Sequence, residues 1–247
     1  MGLFRQDSVM YGGVIDLQAP NSPFVELLKM VGNGKRVLEV GPGIGHVTKQ
    51  LGQQDCKVTC VEKNKNMADM AKEFCARVIV GDIESDTIGR HLSTERFDVI
   101  TFGDVLEHLR DPVEVLNNLR PLIAPAGYLV VSIPNVAHRS VRLSLLFGEF
   151  DYADSGLLDR THLRFFTIRT IEQMMNECGF KIVDIVRVCD ASLMDTLLRR
   201  TASWGQRVVL EMVKVLFRGL VRGEALTYQF VIKAISVSTR TSNQGDH

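Results

Sequence analysis

Cysteine is too scarce here, and wrongly spaced, for a disulfide frame or a zinc knuckle: Cys56, Cys60, Cys75, Cys178 and Cys189 are odd in number and form no Cys-x-x-Cys pair. They read as reduced, mostly buried thiols. An excess of charge is missing too. Lys plus Arg equals Asp plus Glu at 29 each, so no overall field draws the chain to nucleic acid or to an acidic membrane surface. No run reaches the roughly 18 apolar residues of a membrane span, and Met1 to Tyr11 has neither the basic start nor the apolar centre of a secretory signal. A cytoplasmic address without stable membrane insertion is expected. Internal repeats and low-complexity linkers are absent as well, so nothing forces a domain boundary. What is left, 247 residues at 45% hydrophobic and 23% charged, suffices for one large core.

Strand and helix patterns alternate along that core. Ser22 to Val31 reads as a helix stopped by Gly32-Asn33-Gly34, and Arg36 to Val40 as a strand. Gly45 to Gly52 follows as a helix, Lys57 to Val61 as a buried strand, Asn64 to Cys75 as a helix and Arg77 to Val80 as a strand. The rhythm continues with strand Phe97 to Phe102, helix Pro112 to Ile123, a turn at Ala-Pro-Ala-Gly and strand Gly127 to Ile133. Such alternation predicts an α/β fold with a parallel sheet covered by helices on both faces. Beyond Pro134 the pattern breaks. Asn135 to Phe166 is long, irregular and rich in His, Arg, Asp and aromatics, and connections of that length usually carry function. Helix Ile168 to Cys178, strand Lys181 to Val188, a helical stretch over residues 192–222 and strand Leu226 to Ser236 complete the reading.

The first strand ends in Glu39-Val-Gly41-Pro-Gly43-Ile-Gly45. A glycine-rich turn between strand and helix lets a ligand approach the main chain and the positive helix N-terminus. Dinucleotide binders use Gly-x-Gly-x-x-Gly there. Here His46 occupies the place of the third dinucleotide glycine, which disfavours a nicotinamide oxidoreductase. The carboxylate of Glu39 would repel a pyrophosphate but accept a bond from an ammonium group, so the ligand is expected to be cationic at one end. S-adenosylmethionine is such a ligand.

At these residues the chain resembles the class I, seven-stranded S-adenosylmethionine-dependent methyltransferases, whose first motif is an acid followed by Gly-x-Gly-x-Gly. Further positions carry the resemblance. Glu62, followed by Lys63, lies about 20 residues past Gly41, the spacing at which an acid grips ribose hydroxyls. Gly81-Asp82-Ile83 places an acid where the family binds the adenine amino group, and Asp104-Val105-Leu106-Glu107-His108 is similar to the Asp-x-x-Glu-His stretch of ubiquinone-type enzymes. Ile133 to His138 and Leu158 to Thr167 look like bacterial methyltransferases associated with saccharide and natural-product gene sets. The resemblance spans roughly Tyr11 to Ser236. It implies a Rossmann-like mixed sheet of order 3-2-1-4-5-7-6 with the last strand antiparallel, and a cofactor bound by Glu39, Gly41, Gly43, Gly45, Glu62, Lys63, Gly81, Asp82, Ile83, Asp104 and Val105. It also implies a single methyltransferase domain over residues 1–236, with an N-terminal arm or lid at 1–34, acceptor-side insertions at 134–167 and 191–223, and a disordered tail at 237–247.

Methyl transfer from a sulfonium is an in-line displacement, and a hydroxyl acceptor must also lose a proton. Imidazole suits that task. His162 in the irregular segment is the first candidate base, flanked by Arg160 and Arg164, then His108 after the fourth strand and His138 after the Pro-Asn turn. Asp104, Glu107 and His108 at i, i+3 and i+4 have the spacing at which a carboxylate and an imidazole meet a divalent metal. The expectation is nevertheless no metal; were one to bind, Glu107 and His108 would ligate it, with His138 or His162 downstream. Asp151, Tyr152, Asp154 and Asp159 suit a hydroxylated acceptor, with solvated loop charge as the plain alternative. Leu193 to Arg222, basic and apolar by turns, is expected to cap the acceptor pocket or form a homodimer seam rather than to lie on a membrane. The expected activity is O-methylation of a small hydroxylated molecule, a saccharide or another natural-product intermediate. The competing readings are N- or C-methylation of a small molecule and a non-catalytic cofactor-binding partner protein.

Overall fold

A computed structural model of the chain describes residues 21–189 and 223–237. The N-terminal arm up to residue 20, most of the 191–223 insertion and all of the tail but Val237 lie outside the described residues, as does the helix expected over 192–222.

Seven strands form one sheet: β1 (Arg36–Val40), β2 (Lys57–Glu62), β3 (Arg77–Val80), β4 (Phe97–Gly103), β5 (Ile123–Pro134), β6 (Phe180–Cys189) and β7 (Thr227–Ser236). Their order is β3-β2-β1-β4-β5-β7-β6. The first five run parallel, and β7 is antiparallel to both β5 and β6. This is the order and sense expected from the sequence.

Apolar residues on alternating strand positions build a core on each face. Leu38, Val40, Ile100, Phe102, Leu129, Val131 and Ile232 point to one side, packed by helices α4 (Asp86–Leu92), α5 (Pro112–Leu119) and α7 (Ile168–Glu177). Val37, Val58, Val99, Val130 and Val231 point to the other, against α1 (Pro23–Val31) and α2 (His46–Gln53). Central parallel strands covered on both sides are apolar along most of their length for this reason, with Glu39 in β1 and Thr101 in β4 as buried polar exceptions. In α1, Pro23 at the first position and Gly32 after the last follow the usual asymmetry of helix ends, and the Tyr128 hydroxyl on β5 donates to Val31 O at 2.8 Å.

The periodicity misplaces a few boundaries. Helix α3 covers only Lys65–Ala71, capped by the Asn64 side chain. Ala-Pro-Ala-Gly at residues 124–127 is no turn before β5 but a bulge within it: Phe97 pairs with Ile123 and Val99 with Tyr128, and the extra residues accommodate a proline that could not join a regular ladder. Helix α4 and helix α6 (Arg139–Leu146) fall in stretches the alternation left unassigned. The segment between Leu146 and Ile168 contains neither helix nor strand. Among the described residues no helix is long and apolar enough to cross a membrane.

Candidate active site

The site lies where open α/β sheets bind ligands, at the carboxyl ends of the parallel strands and the switch between β1 and β4. The β1–α2 turn is shaped by backbone. Gly41 has φ +68, and a Cβ there would come within 2.7 Å of Val105 Cγ2. Gly43 has φ +56 with no atom within 4 Å of such a Cβ, which leaves open space over the turn. Beside that space Glu62, at the end of β2, accepts the Gly43 N–H at 3.1 Å and the Asn64 N–H at 2.8 Å. Two backbone donors thus fix the orientation of this carboxylate beside the glycine turn. Asp82 is exposed, its Oδ1 accepting the Glu84 N–H at 3.0 Å, while Ile83 packs on the core. Glu39 sits beneath the turn: its Oε2 accepts the Thr48 hydroxyl of α2 at 2.7 Å, and burial pushes its carboxyl up to about 7.

At the end of β4 the chain turns sharply through Asp104, at φ +56, into a 3-10 turn over Leu106–His108. Glu107 is only 1% exposed, and neither carboxylate oxygen has a hydrogen-bond partner among the described residues. Burial, and after it the Asp104 charge, raises its carboxyl well above the usual range. The Glu107 carbonyl accepts the N–H groups of Leu163 and Arg164 at 2.8 and 3.0 Å. Those two bonds dock the irregular segment on the β4 end and bring His162 over it. His108 and His162 meet edge to face with centroids 4.8 Å apart. One ligand atom each from Glu107, His108 and His162 lies within 4.8 Å of the others, a set able to hold a metal ion.

Nδ1 of His108 lies 3.2 Å from both the carbonyl oxygen and the hydroxyl of Thr161, and that hydroxyl donates to Asp159 Oδ1 at 2.7 Å. Both Thr161 oxygens then act as acceptors, so Nδ1 of His108 carries the hydrogen and its other nitrogen has a lone pair for a proton or a cation. Burial lowers the pKa of both rings, helped at His162 by His108. Both are therefore neutral, and basic, at neutral pH. Asp159 stays ionised below the usual carboxylate range, because bonds from Thr161 outweigh its burial. Lys63, next to Glu62, also depresses His108, so the two halves of the cleft lie within electrostatic reach of each other.

Residues 18–185 match the family described as a methyltransferase domain, which is more than half of the chain. The chain belongs to this family. It is a class I S-adenosylmethionine-dependent methyltransferase, and S-adenosylmethionine is its cofactor. Among curated relatives, the methyltransferase is 28% identical over 163 residues to a ubiquinone biosynthesis O-methyltransferase of Coxiella burnetii, covering 63% of this chain and 67% of that one. A protein of the same description from Psychrobacter arcticus is 28% identical over 164 residues, 62% of each chain. Two solved structures show the same fold. A methyltransferase from Archaeoglobus fulgidus superposes with TM-score 0.59 at 19% identity, covering 86% of this chain and 94% of that one. The magnesium protoporphyrin IX methyltransferase of Synechocystis, with bound S-adenosylhomocysteine, gives TM-score 0.55 at 13% identity over 87% of this chain and 80% of its own.

The methyltransferase brings together Glu107, His108 and His162 from the sequence candidates and sets His138 apart in role. The His138 ring caps α6, its Nδ1 accepting the Ser140 N–H at 3.3 Å, and meets Tyr228 edge to face with centroids 5.7 Å apart. Phe150, Tyr152 and Phe165 form an aromatic shelf beside His162, whose ring centroid is 6.1 Å from that of Phe165. Four polar residues escaped the sequence reading: Thr48, Thr161, Ser132 and Gln229. Ser132 is an isolated polar residue inside an apolar strand, and that isolation is the one signal it gives, whereas Gln229 follows Thr227 and Tyr228 and gives none.

Proposed function

We propose that this methyltransferase transfers its methyl group to a hydroxyl of a small molecule, with the His108–His162 pair as proton acceptor. The observation that carries the reading is the buried cluster of Glu107, His108 and His162 at the end of β4. The acceptor oxygen attacks the methyl carbon opposite the sulfur, the carbon–sulfur bond breaks, and the neutral thioether leaves. The hydroxyl proton passes to an imidazole kept neutral by burial, His162 being the nearer to the aromatic shelf. Glu62 grips the ribose hydroxyls, Asp82 and Ile83 meet the adenine, and Asp104 faces the amino-acid end of the cofactor.

Phe150 and Tyr152 are exposed, and a shelf of such rings stacks on a flat acceptor, whether a sugar face or an aryl ring. Leu143, Leu146 and Phe147 are exposed apolar side chains of α6 and its end. Oxygen is further supported by the O-methyltransferase activity named for the two bacterial relatives. A second reading places a divalent cation on Glu107, His108 and His162, favoured by the two buried, unpartnered oxygens of Glu107. Such an ion would acidify a hydroxyl bound to it. The experiment is incubation with methyl-deuterated S-adenosylmethionine and a panel offering aryl diols, saccharides and amines, with mass spectrometry locating the label. The reading expects label on oxygen; label on nitrogen with the diols and saccharides untouched overturns it.

A further inference from the structure

Three strands converge on one carboxylate. Asp104 directly follows β4, and its N–H donates to Ser132 O at 3.3 Å and Ser132 Oγ at 3.1 Å. Its Oδ1 accepts both the Ser132 hydroxyl of β5, at 2.5 Å, and the side-chain amide of Gln229 from β7. Its Oδ2 is buried and has no partner among the described residues. A carboxylate placed for packing alone would share its donors between both oxygens, since a buried acceptor left unpaired is costly. Here two fully or almost fully buried side chains, Ser132 at 0% and Gln229 at 4% exposure, are spent on a single oxygen.

The place of Asp104 says what the other oxygen awaits. Its neighbour Val105 lies against Gly41, so Asp104 stands on the β4 wall of the crevice whose β1 wall is the glycine turn. The cofactor carries an ammonium at its amino-acid end. Glu39, the acid closest to that turn in sequence, is held beneath it by Thr48, and Glu62 is oriented toward the ribose by Gly43 and Asn64. We infer that Gln229, together with Ser132, is a positioning residue for cofactor binding: by occupying Oδ1 it turns Oδ2 of Asp104 to the cofactor's ammonium. Strand β7 thereby contributes to the cofactor site although it lies two strands from β4 and its residue 229 follows Asp104 by 125 positions.

The inference rests on the proposed role of Asp104, and the test separates the two. S-adenosylhomocysteine, which has the ammonium, and 5′-methylthioadenosine, which lacks the amino-acid part, are titrated calorimetrically into the full chain and into Asp104→Asn, Gln229→Leu and the double variant. The expected result is about a tenfold rise in the S-adenosylhomocysteine Kd for each single variant, with no further loss in the double, as a charge-assisted bond implies. The methylthioadenosine Kd stays within about twofold throughout. If Asp104→Asn weakens S-adenosylhomocysteine while Gln229→Leu leaves it unchanged, or if Gln229→Leu weakens both ligands equally, the positioning role is wrong. If Asp104→Asn itself has no effect, the underlying reading of Asp104 fails. Should Gln229→Leu not fold, Ser132→Ala removes the second donor and is read against the same two ligands.

Discussion

Glu62 accepts the Gly43 N–H at 3.1 Å, so the acid that ends β2 is bonded to the glycine turn that ends β1. Two neighbouring strands in the sheet thereby fix one carboxylate at the mouth of the crevice before any ligand arrives. Glu62→Gln keeps the size and loses the charge. Each charge-assisted bond to a ribose hydroxyl is worth about 1.5–3 kcal/mol, so the S-adenosylhomocysteine Kd should rise by about 10- to 100-fold by calorimetry. An unchanged affinity would remove Glu62 from the cofactor site.

Gly41 and Gly43 share positive φ but differ in surroundings, and their alanine variants should differ accordingly. Both pay about 1–2 kcal/mol for a Cβ in the left-handed region. At Gly41 the new atom also meets Val105 at 2.7 Å, whereas at Gly43 it meets nothing. Thermal denaturation should show Gly41→Ala as clearly the less stable, by several degrees. Gly43→Ala should be milder in stability and lose cofactor affinity instead, because its Cβ enters the space left for the ligand.

Glu39 makes apo stability depend on pH with a definite sign. Its carboxyl is held up to about 7 in the folded chain, against an ordinary 4.5, so between those values the folded state binds more protons than the unfolded one. Stability from this group is therefore full at pH 4.5, falls as pH rises to about 7, and stays low above. Glu39→Gln removes the loss and keeps an acceptor for Thr48. Relative to the unsubstituted protein it should gain on the order of 2–3 kcal/mol at pH 8 and almost nothing at pH 4.5. Equal effects at both pH values in chemical denaturation would contradict the burial of an uncompensated charge there.

The second reading of the Glu107, His108 and His162 cluster predicts direct metal binding. Cobalt(II) added to the protein should give the visible absorption of a site with nitrogen and oxygen ligands, and Glu107→Gln should abolish it. With no cobalt signal in the unsubstituted protein, the imidazoles are left to act by themselves.

Much of this architecture was legible in the chain because parallel strands buried on both faces are written as largely apolar stretches, as Val37 to Val40 and Val99 to Phe102 are apart from Glu39 and Thr101. The glycine turn, Glu62 and the Asp104 to His108 stretch were legible for a different reason: each follows a strand end at a spacing set by the βα unit. What escaped was long-range. The resemblance gave β7 its place beside β5, but nothing near Gln229 in sequence says that its side chain reaches Asp104, and nothing near His162 says that Leu163 and Arg164 will bond the Glu107 carbonyl. The bulge at residues 124–127 was hidden because Pro and Gly signal a turn locally, while the pairing of Phe97 with Ile123 overrides them.

The most direct test of the account is the pH dependence of single-turnover methyl transfer to a hydroxyl acceptor from the deuterated-methyl screen, for the unsubstituted enzyme and for His162→Asn and His108→Asn. Both imidazoles titrate below their ordinary 6.5, so the rate should climb with pH on an acidic limb whose midpoint lies below that value and be level at neutral pH. Loss of the base should lower the plateau by about 100-fold or more and abolish the limb, with S-adenosylhomocysteine affinity kept within about twofold. A full rate and an unchanged pH profile in both variants would show that the proton leaves by another route and that the cluster is not the catalytic centre.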